Sequence, residues 1–371
     1  MEGEYLTQVE TTVMKKLDWY ILKKFLTTFL VSILLISIIV IIFDVSEKLD
    51  NFVSKKAPLS AIAFDYYLNF VPYIVNLFSP LFTFIAVILF TSRLAARSEI
   101  IAILSSGTSF YRMLRPYMIA ATLIATLSFL LNAFIIPISS KKRIEFMEKY
   151  VLNRYYNERW QIHIQTKPGT FAYLEHYDNV QNIAYRFTLE EKTGNQMTYK
   201  LQSDEMTWDS IKGIWTIRNY CIRKINGEKE SLKFGSQLDT VLAITPADFG
   251  RVWNNLEVLT LPELSRFIEE EKIKGAPNIE SFEIEKYKRL SMPFANFILT
   301  LIGVALSSRK VRGGIGMHIG LGLIISFTYI LFMQVSSVFS QSGQLSPLLS
   351  VWLPNILYSA LAIYLIRIAP K

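Results

Sequence analysis

Three observations predict a polytopic α-helical membrane protein, six transmembrane helices with an inserted periplasmic β-jelly-roll domain. Six apolar runs recur, basic residues gather on alternate sides of them, and one long insert is rich in β-branched and aromatic residues. Apolar residues make up 51% of the 371 and mean hydropathy is +0.30. The runs span about 25–43, 68–90, 117–138, 290–306, 315–339 and 348–366, near the roughly 20 residues needed to cross a hydrocarbon core of about 30 Å.

Residues 1–24 read as an N-terminal segment, polar over Met1–Thr12 and basic and amphipathic from Leu17 to Lys24. The first run is a retained anchor: it is too long for a signal peptide, is followed by Asp44 and Glu47, and lacks a small-x-small cleavage site. Spans one to three occupy 25–138. Pro72 and Pro80 in the second remove helix hydrogen bonds and predict a bend. Lys15, Lys16, Lys23 and Lys24 precede span one, Arg93, Arg97, Arg112 and Arg115 separate spans two and three, Arg309, Lys310 and Arg312 follow span four, and Arg367 and Lys371 close the chain. Short basic loops stay in the cytoplasm, so both termini are expected inside and residues 139–289 outside.

Within that insert, Lys141–Arg159 is charged and helix-like. Seven or eight short strands follow between Trp160 and Ala247, punctuated by Lys167-Pro168-Gly169, Thr193-Gly194-Asn195, Lys212-Gly213 and Asn226-Gly227. Spacing of this kind predicts a β-sandwich or jelly roll. Simple alternation places Trp160, Ile162, Tyr185, Phe187, Trp215 and Ile217 in its interior. A helical pattern returns from Leu261 to Tyr287, broken at Gly275-Ala276-Pro277, and spans four to six fill 290–371.

Several chemistries are missing. The net charge of +8 is spread over loops, not gathered in an aromatic-laced stripe, which excludes a nucleic-acid reading. No P-loop occurs, and Gly313-Gly314-Ile315-Gly316 lies between a basic loop and a span, the wrong setting for a dinucleotide fingerprint. Ionisable groups are absent from the span interiors, arguing against a proton-coupled transporter. His163, His176 and His318 form no metal spacing with Cys221, and a single cysteine allows no intrachain disulfide. With no nucleophile elbow and no paired carboxylates, neither catalysis nor a cofactor is expected.

Residues 93–107, between spans two and three, carry the functional signal. On a helical wheel Ala95, Glu99, Ala102 and Ser106 share one narrow arc, while Leu94, Ile100, Ile101 and Leu104 turn away. A helix lying along a bilayer would bury the apolar side and offer a small-residue strip with Glu99 at its middle, ended by Gly107; an amphipathic connector without a partner fits the pattern equally. In span five, Gly316, Gly320 and Gly322 permit either close helix packing or a gate.

Ser98-Glu99-Ile100 followed by Ser106-Gly107 resembles the coupling segment of the lipopolysaccharide-export permeases, the LptF/LptG (YjgP/YjgQ) family. Leu17-Asp18-Trp19-Tyr20, the order of three spans, β domain and three spans, and Trp352-Leu353-Pro354-Asn355 resemble it too, the first and last leaning toward LptG. The resemblance implies an ABC transporter permease subunit paired with a second LptF/LptG-type permease. A cytoplasmic ABC ATPase dimer would dock on the coupling helices, with Glu99 meeting a basic residue. Lipopolysaccharide would enter between spans one and five and pass along the β domain to a periplasmic bridge protein. In one respect the chain departs from that pattern: where LptG relatives carry a lysine for lipid phosphate at the outer end of span one, Asp44 stands, with Lys48 one turn on as its substitute. Set against this is a membrane scaffold or sensor whose β domain binds a ligand and signals to a cytoplasmic partner.

Overall fold

The computed structural model describes residues 15–151, 160–178, 181–194, 196–242, 244–246, 256–273, 279–309 and 314–369. Six of its helices are long and apolar enough to cross a membrane. They are α1 (Lys16–Ser54), α2 (Leu59–Ala96), α4 (Phe110–Tyr150), α6 (Ile279–Ser307), α7 (Gly314–Gln341) and α8 (Pro347–Arg367). Two shorter α-helices, α3 (Glu99–Ser105) and α5 (Leu261–Ile273), and a 3-10 turn at Leu256–Val258 also lie among the described residues. The polar stretch before Lys15, the Gly275–Pro277 break and the Lys310–Gly313 loop lie outside those residues.

The helices start, and carry irregular turns, for local reasons. Ser346 opens α8 by accepting the Leu349 N–H at 3.4 Å, with Pro347 in the first turn, where its missing N–H costs nothing. The helix α2 runs through both Pro72 and Pro80 and contains a π-helical turn at Ile62–Tyr67. The Asn69 amide donates to the Phe64 and Asp65 carbonyls there, at 2.9 and 3.0 Å, supplying partners within that turn. A second π turn, Leu131–Ile135, lies in α4.

Contacts divide the chain into two compact units. One comprises Met1–Ser46, Val71–Ile135 and Tyr287–Lys371. Its core joins Ile21, Phe25 and Phe29 of α1 to Ala86, Val87 and Phe90 of α2 and to Met113, Tyr117 and Ala120 of α4. A second cluster sets Phe84 and Ile88 against Leu299 and Ile302 of α6 and Ala362 of α8. Buried polar side chains pair between helices: Ser128 with Asn76 at 2.6 Å, Thr83 with Asn296 at 2.9 Å, Tyr329 with Asn355 at 2.8 Å. In hydrocarbon an unpaired polar group is costly, so each such bond fixes one register between two helices.

The other unit comprises Glu47–Phe70 and Ile136–Lys286. Its helical part is held by the edge-to-face rings of Phe52, Tyr66 and Phe146 and by an Arg143–Glu257 ion pair at 2.6 Å. Its β domain is one antiparallel sheet in the order β1 (Trp160–Lys167), β2 (Thr170–Asp178), β3 (Ile183–Thr193), β4 (Gln196–Asp209), β5 (Ile214–Asn226), β6 (Lys229–Thr240). The described strands number six instead of seven or eight. Ser203-Asp204-Glu205 holds neither glycine nor proline, and the two segments on either side of it continue as the single strand β4. Among the described residues the hairpins follow one another, without the crossed connections of a jelly roll.

One sheet still encloses a core, because its pairing breaks along a line crossing every strand. One pair is skipped, with the register unchanged, between Ile162↔Leu174 and Trp160↔His176, between Tyr185↔Glu205 and Phe187↔Ser203, between Ser203↔Tyr220 and Glu205↔Arg218, and between Arg218↔Gln237 and Tyr220↔Gly235. Gln161, Arg186 and Asn219, on alternate strands of that line, have φ of +57°, +50° and +50°. The buried set changes parity across the line: Ala172 and Leu174 then Tyr177 on β2, Leu189 and Phe187 then Ala184 on β3, Trp215 and Ile217 then Tyr220 on β5. Phe187, Trp215 and Ile217 are interior as alternation predicts, and Ile162 packs against them. Tyr185 is not: the change of parity at Arg186 turns it outward, where its ring stacks on His176. The side chain of Trp160 lies outside the described residues.

Candidate functional site

The segment between α2 and α4 is two helices, not one. Ser98 takes φ +60°, a left-handed conformation uncommon for serine, and its N–H donates to the Ala95 carbonyl at 3.0 Å, closing α2. A seven-residue helix, α3, then starts at Glu99 and ends at Gly107, whose φ of +83° and N–H bond to the Leu104 carbonyl at 3.1 Å form the stop. Resetting the chain at Ser98 corrects the wheel computed over 93–107. Ala95 belongs to α2 and is buried among core residues, so it lies off the exposed strip. Ile100 is buried beside it, and Ile103 and Leu104 pack against the same core. Ile101, expected to face inward, is 54% exposed. The outward surface is therefore Ile101, Ala102, Ser105 and Ser106, with a half-buried Glu99 at its start. The Glu99 contact with Arg97, 3.8 Å long at a largely exposed guanidinium, is a loose surface pair worth at most about 1 kcal/mol.

Four residues after α3, the Ser109 hydroxyl accepts the Arg112 N–H at 3.2 Å and opens α4. The Arg112 guanidinium reaches both oxygens of Asp18, at 2.7 and 2.5 Å. One of those oxygens also accepts the Lys15 N–H at 2.9 Å, capping α1. Asp18 is buried, and Phe110 and Met113 of α4 share a core with Ile21, Leu22 and Phe25. Sequence reasoning missed this pair. Its one signal was an acid standing alone among Lys15, Lys16, Lys23 and Lys24.

A family model described as lipopolysaccharide export system permease LptF/LptG matches residues 19–368. The chain belongs to that family. A comparison with curated proteins finds no match. The chain is therefore a lipopolysaccharide export permease, a transporter component and multi-pass inner-membrane protein with an inserted β domain.

The other candidate residues of this permease fall at separate places. Asp44 and Lys48 are half-buried positions one turn apart on α1, and the Lys48 ammonium lies 5.3 Å from the centroid of the Tyr66 ring, a cation–π contact. The span-five glycines divide by their surroundings. A Cβ on Gly322 would stand 2.2 Å from Ile88 Cδ1, so this glycine lets α7 close on α2, whereas one on Gly316 or Gly320 would meet nothing within 4 Å. Gly303 of α6, which sequence reasoning passed over, makes the same kind of approach, 2.9 Å from Val87 Cγ1. His318 is buried and bonds the Arg309 carbonyl at 3.2 Å. Among the described residues no three His, Cys, Asp or Glu side chains group as metal ligands.

Proposed function

We propose that this permease is the non-catalytic half of an ATP-driven complex that extracts lipopolysaccharide from the inner membrane, with the ATPase as a separate cytoplasmic dimer docked on α3. One observation carries the reading: α3 is anchored from beneath by Ile100 in the core shared by α1, α2 and α4, while Ile101, Ala102, Ser105 and Ser106 face outward around Glu99. Three small residues and Ile101 beside one acid suit a groove with a basic residue opposite, and an anchored helix transmits a push. Arg93, Arg97, Arg112 and Arg115 favour a cytoplasmic location for this loop, and with it for both termini. The β domain is then periplasmic, where its enclosed apolar core suits handing acyl chains to a bridge protein. The partner subunit is a second permease of the same family, with this chain on the LptG side by its Leu17–Tyr20 and Trp352–Asn355 motifs. Cargo enters beside α1 and α7, where Lys48 takes the phosphate-facing role and the open positions Gly316 and Gly320 let α7 shift as a gate.

Affinity purification of the chain from native membranes in mild detergent tests this. A soluble P-loop ATPase and a second six-span permease should come with it, and added lipopolysaccharide should raise ATP hydrolysis. Recovery of the chain alone, or with a signalling protein, would contradict the reading and favour a sensor.

A further inference from the structure

We propose that the Asp18–Arg112 ion pair carries movement of α3 to α1, making both positioning residues for export; this rests on the ATPase docking on α3. The path is short. The helix α3 ends at Gly107, Ser109 caps α4, and Arg112 sits in the first turn of α4, so a displacement of α3 acts first on that turn. From there the guanidinium holds Asp18 with two parallel N–H···O bonds, a fork that resists rotation where a single bond would swivel. The same carboxylate caps the first turn of α1 through the Lys15 N–H. Beyond Ile33, Leu34, Leu35, Ile38, Ile39, Ile42 and Phe43 of α1 are exposed within the chain, so α1 is gripped at its start and open along one face from Leu34 to Phe43.

Adhesion alone does not account for the pair. Ile21, Leu22 and Phe25 already join Phe110, Met113 and Tyr117 in one apolar cluster, with the Phe25 and Tyr117 rings 6.0 Å apart. A buried ion pair adds little to stability that well-packed apolar residues would not. What it adds is a fixed direction between α4 and the end of α1.

The test uses the assembled complex with Asp18→Asn, Arg112→Gln and the exchanged pair Asp18→Arg with Arg112→Asp. Three quantities are read: association with the ATPase, lipopolysaccharide released per ATP hydrolysed, and hydrogen exchange over residues 16–24 with and without a non-hydrolysable nucleotide. Each single variant should bind the ATPase yet release about tenfold less cargo per ATP, and should lose the nucleotide-dependent change in exchange; the exchanged pair should regain both. A wild-type ratio and a wild-type exchange response in Asp18→Asn would overturn the link, as would losses that only track lower amounts of folded complex. Should the wild-type complex release no lipopolysaccharide while the exchange response appears and Asp18→Asn abolishes it, the cargo assignment fails and the link stands. If no ATPase associates with the wild-type chain, both fall.

Discussion

Glu99 is half-buried and loosely paired in the isolated chain, so its carboxylate is available to a partner that removes the remaining water. An interface charge pair desolvated in this way loses about 2–5 kcal/mol of binding when one member is deleted. Glu99→Ala should therefore weaken ATPase association by at least tenfold while membrane insertion is unchanged, as read by titrating the ATPase onto the purified permease. The glycines of α7 make a second residue-scale prediction. Gly322→Ala drives a methyl into buried Ile88 and should cost about 1–3 kcal/mol, the usual penalty for overpacking. Gly320→Ala meets open space and should leave thermal unfolding in detergent unaltered or slightly raised. Periodicity treats these glycines alike, because the difference lies in Ile88, more than 200 residues away in the chain.

At the scale of elements, the line across the sheet is the feature least visible in the sequence. Turn chemistry was legible: Asn226-Gly227 joins β5 to β6 with φ +63° at the glycine, a hairpin signal that local backbone preference alone explains. Gln161, Arg186 and Asn219 carry no such signal, since their positive φ is imposed by the strands on either side. Left-handed backbone at a non-glycine residue costs about 1–3 kcal/mol. Arg186→Ile, which adds a β-branch to that strain and removes the ion pair with Glu175, should destabilise the β domain by that order; Arg186→Gly should lose less. Protease cleavage rates within residues 160–240 of the full chain in detergent measure the difference. The same blindness explains Ser98. A wheel assumes one continuous helix, and a single left-handed residue shifted the phase of everything after it.

The helix α5 offers a test of local electrostatics. The Thr260 N–H and hydroxyl both donate to the Glu263 carboxylate, at 2.8 and 2.7 Å, and these bonds hold its pKa below the usual range. A depressed folded-state pKa adds stability that is present above the unfolded value, about 4.3, and is lost as pH falls through the folded value. The carboxylate is exposed to solvent, so the effect is small. Hydrogen exchange over Leu261–Ile273 should rise on acidification below about pH 4.3, and Glu263→Gln should flatten that dependence.

For the whole molecule, hydropathy was sufficient for six spans because a bilayer demands length and apolarity along the chain itself, and turn signals between β-branched and aromatic runs marked the inserted β domain. Contacts distant in sequence were not legible. Asp18 and Arg112 lie 94 positions apart, and neither residue announces the other. The boundary of the second unit was hidden for the same reason: Glu47–Phe70 groups with Ile136–Lys286 through rings such as Phe52, Tyr66 and Phe146, which hydropathy counts only as apolar.

The central claim is that α3 converts ATP hydrolysis by a docked partner into lipopolysaccharide extraction. It is tested most directly in proteoliposomes holding this permease, its partner permease and the ATPase, with transfer of labelled lipopolysaccharide to a soluble acceptor followed over time. The account predicts transfer that requires ATP and is abolished by Glu99→Ala in this chain. Transfer without ATP, or equal transfer by the Glu99→Ala complex, would contradict it.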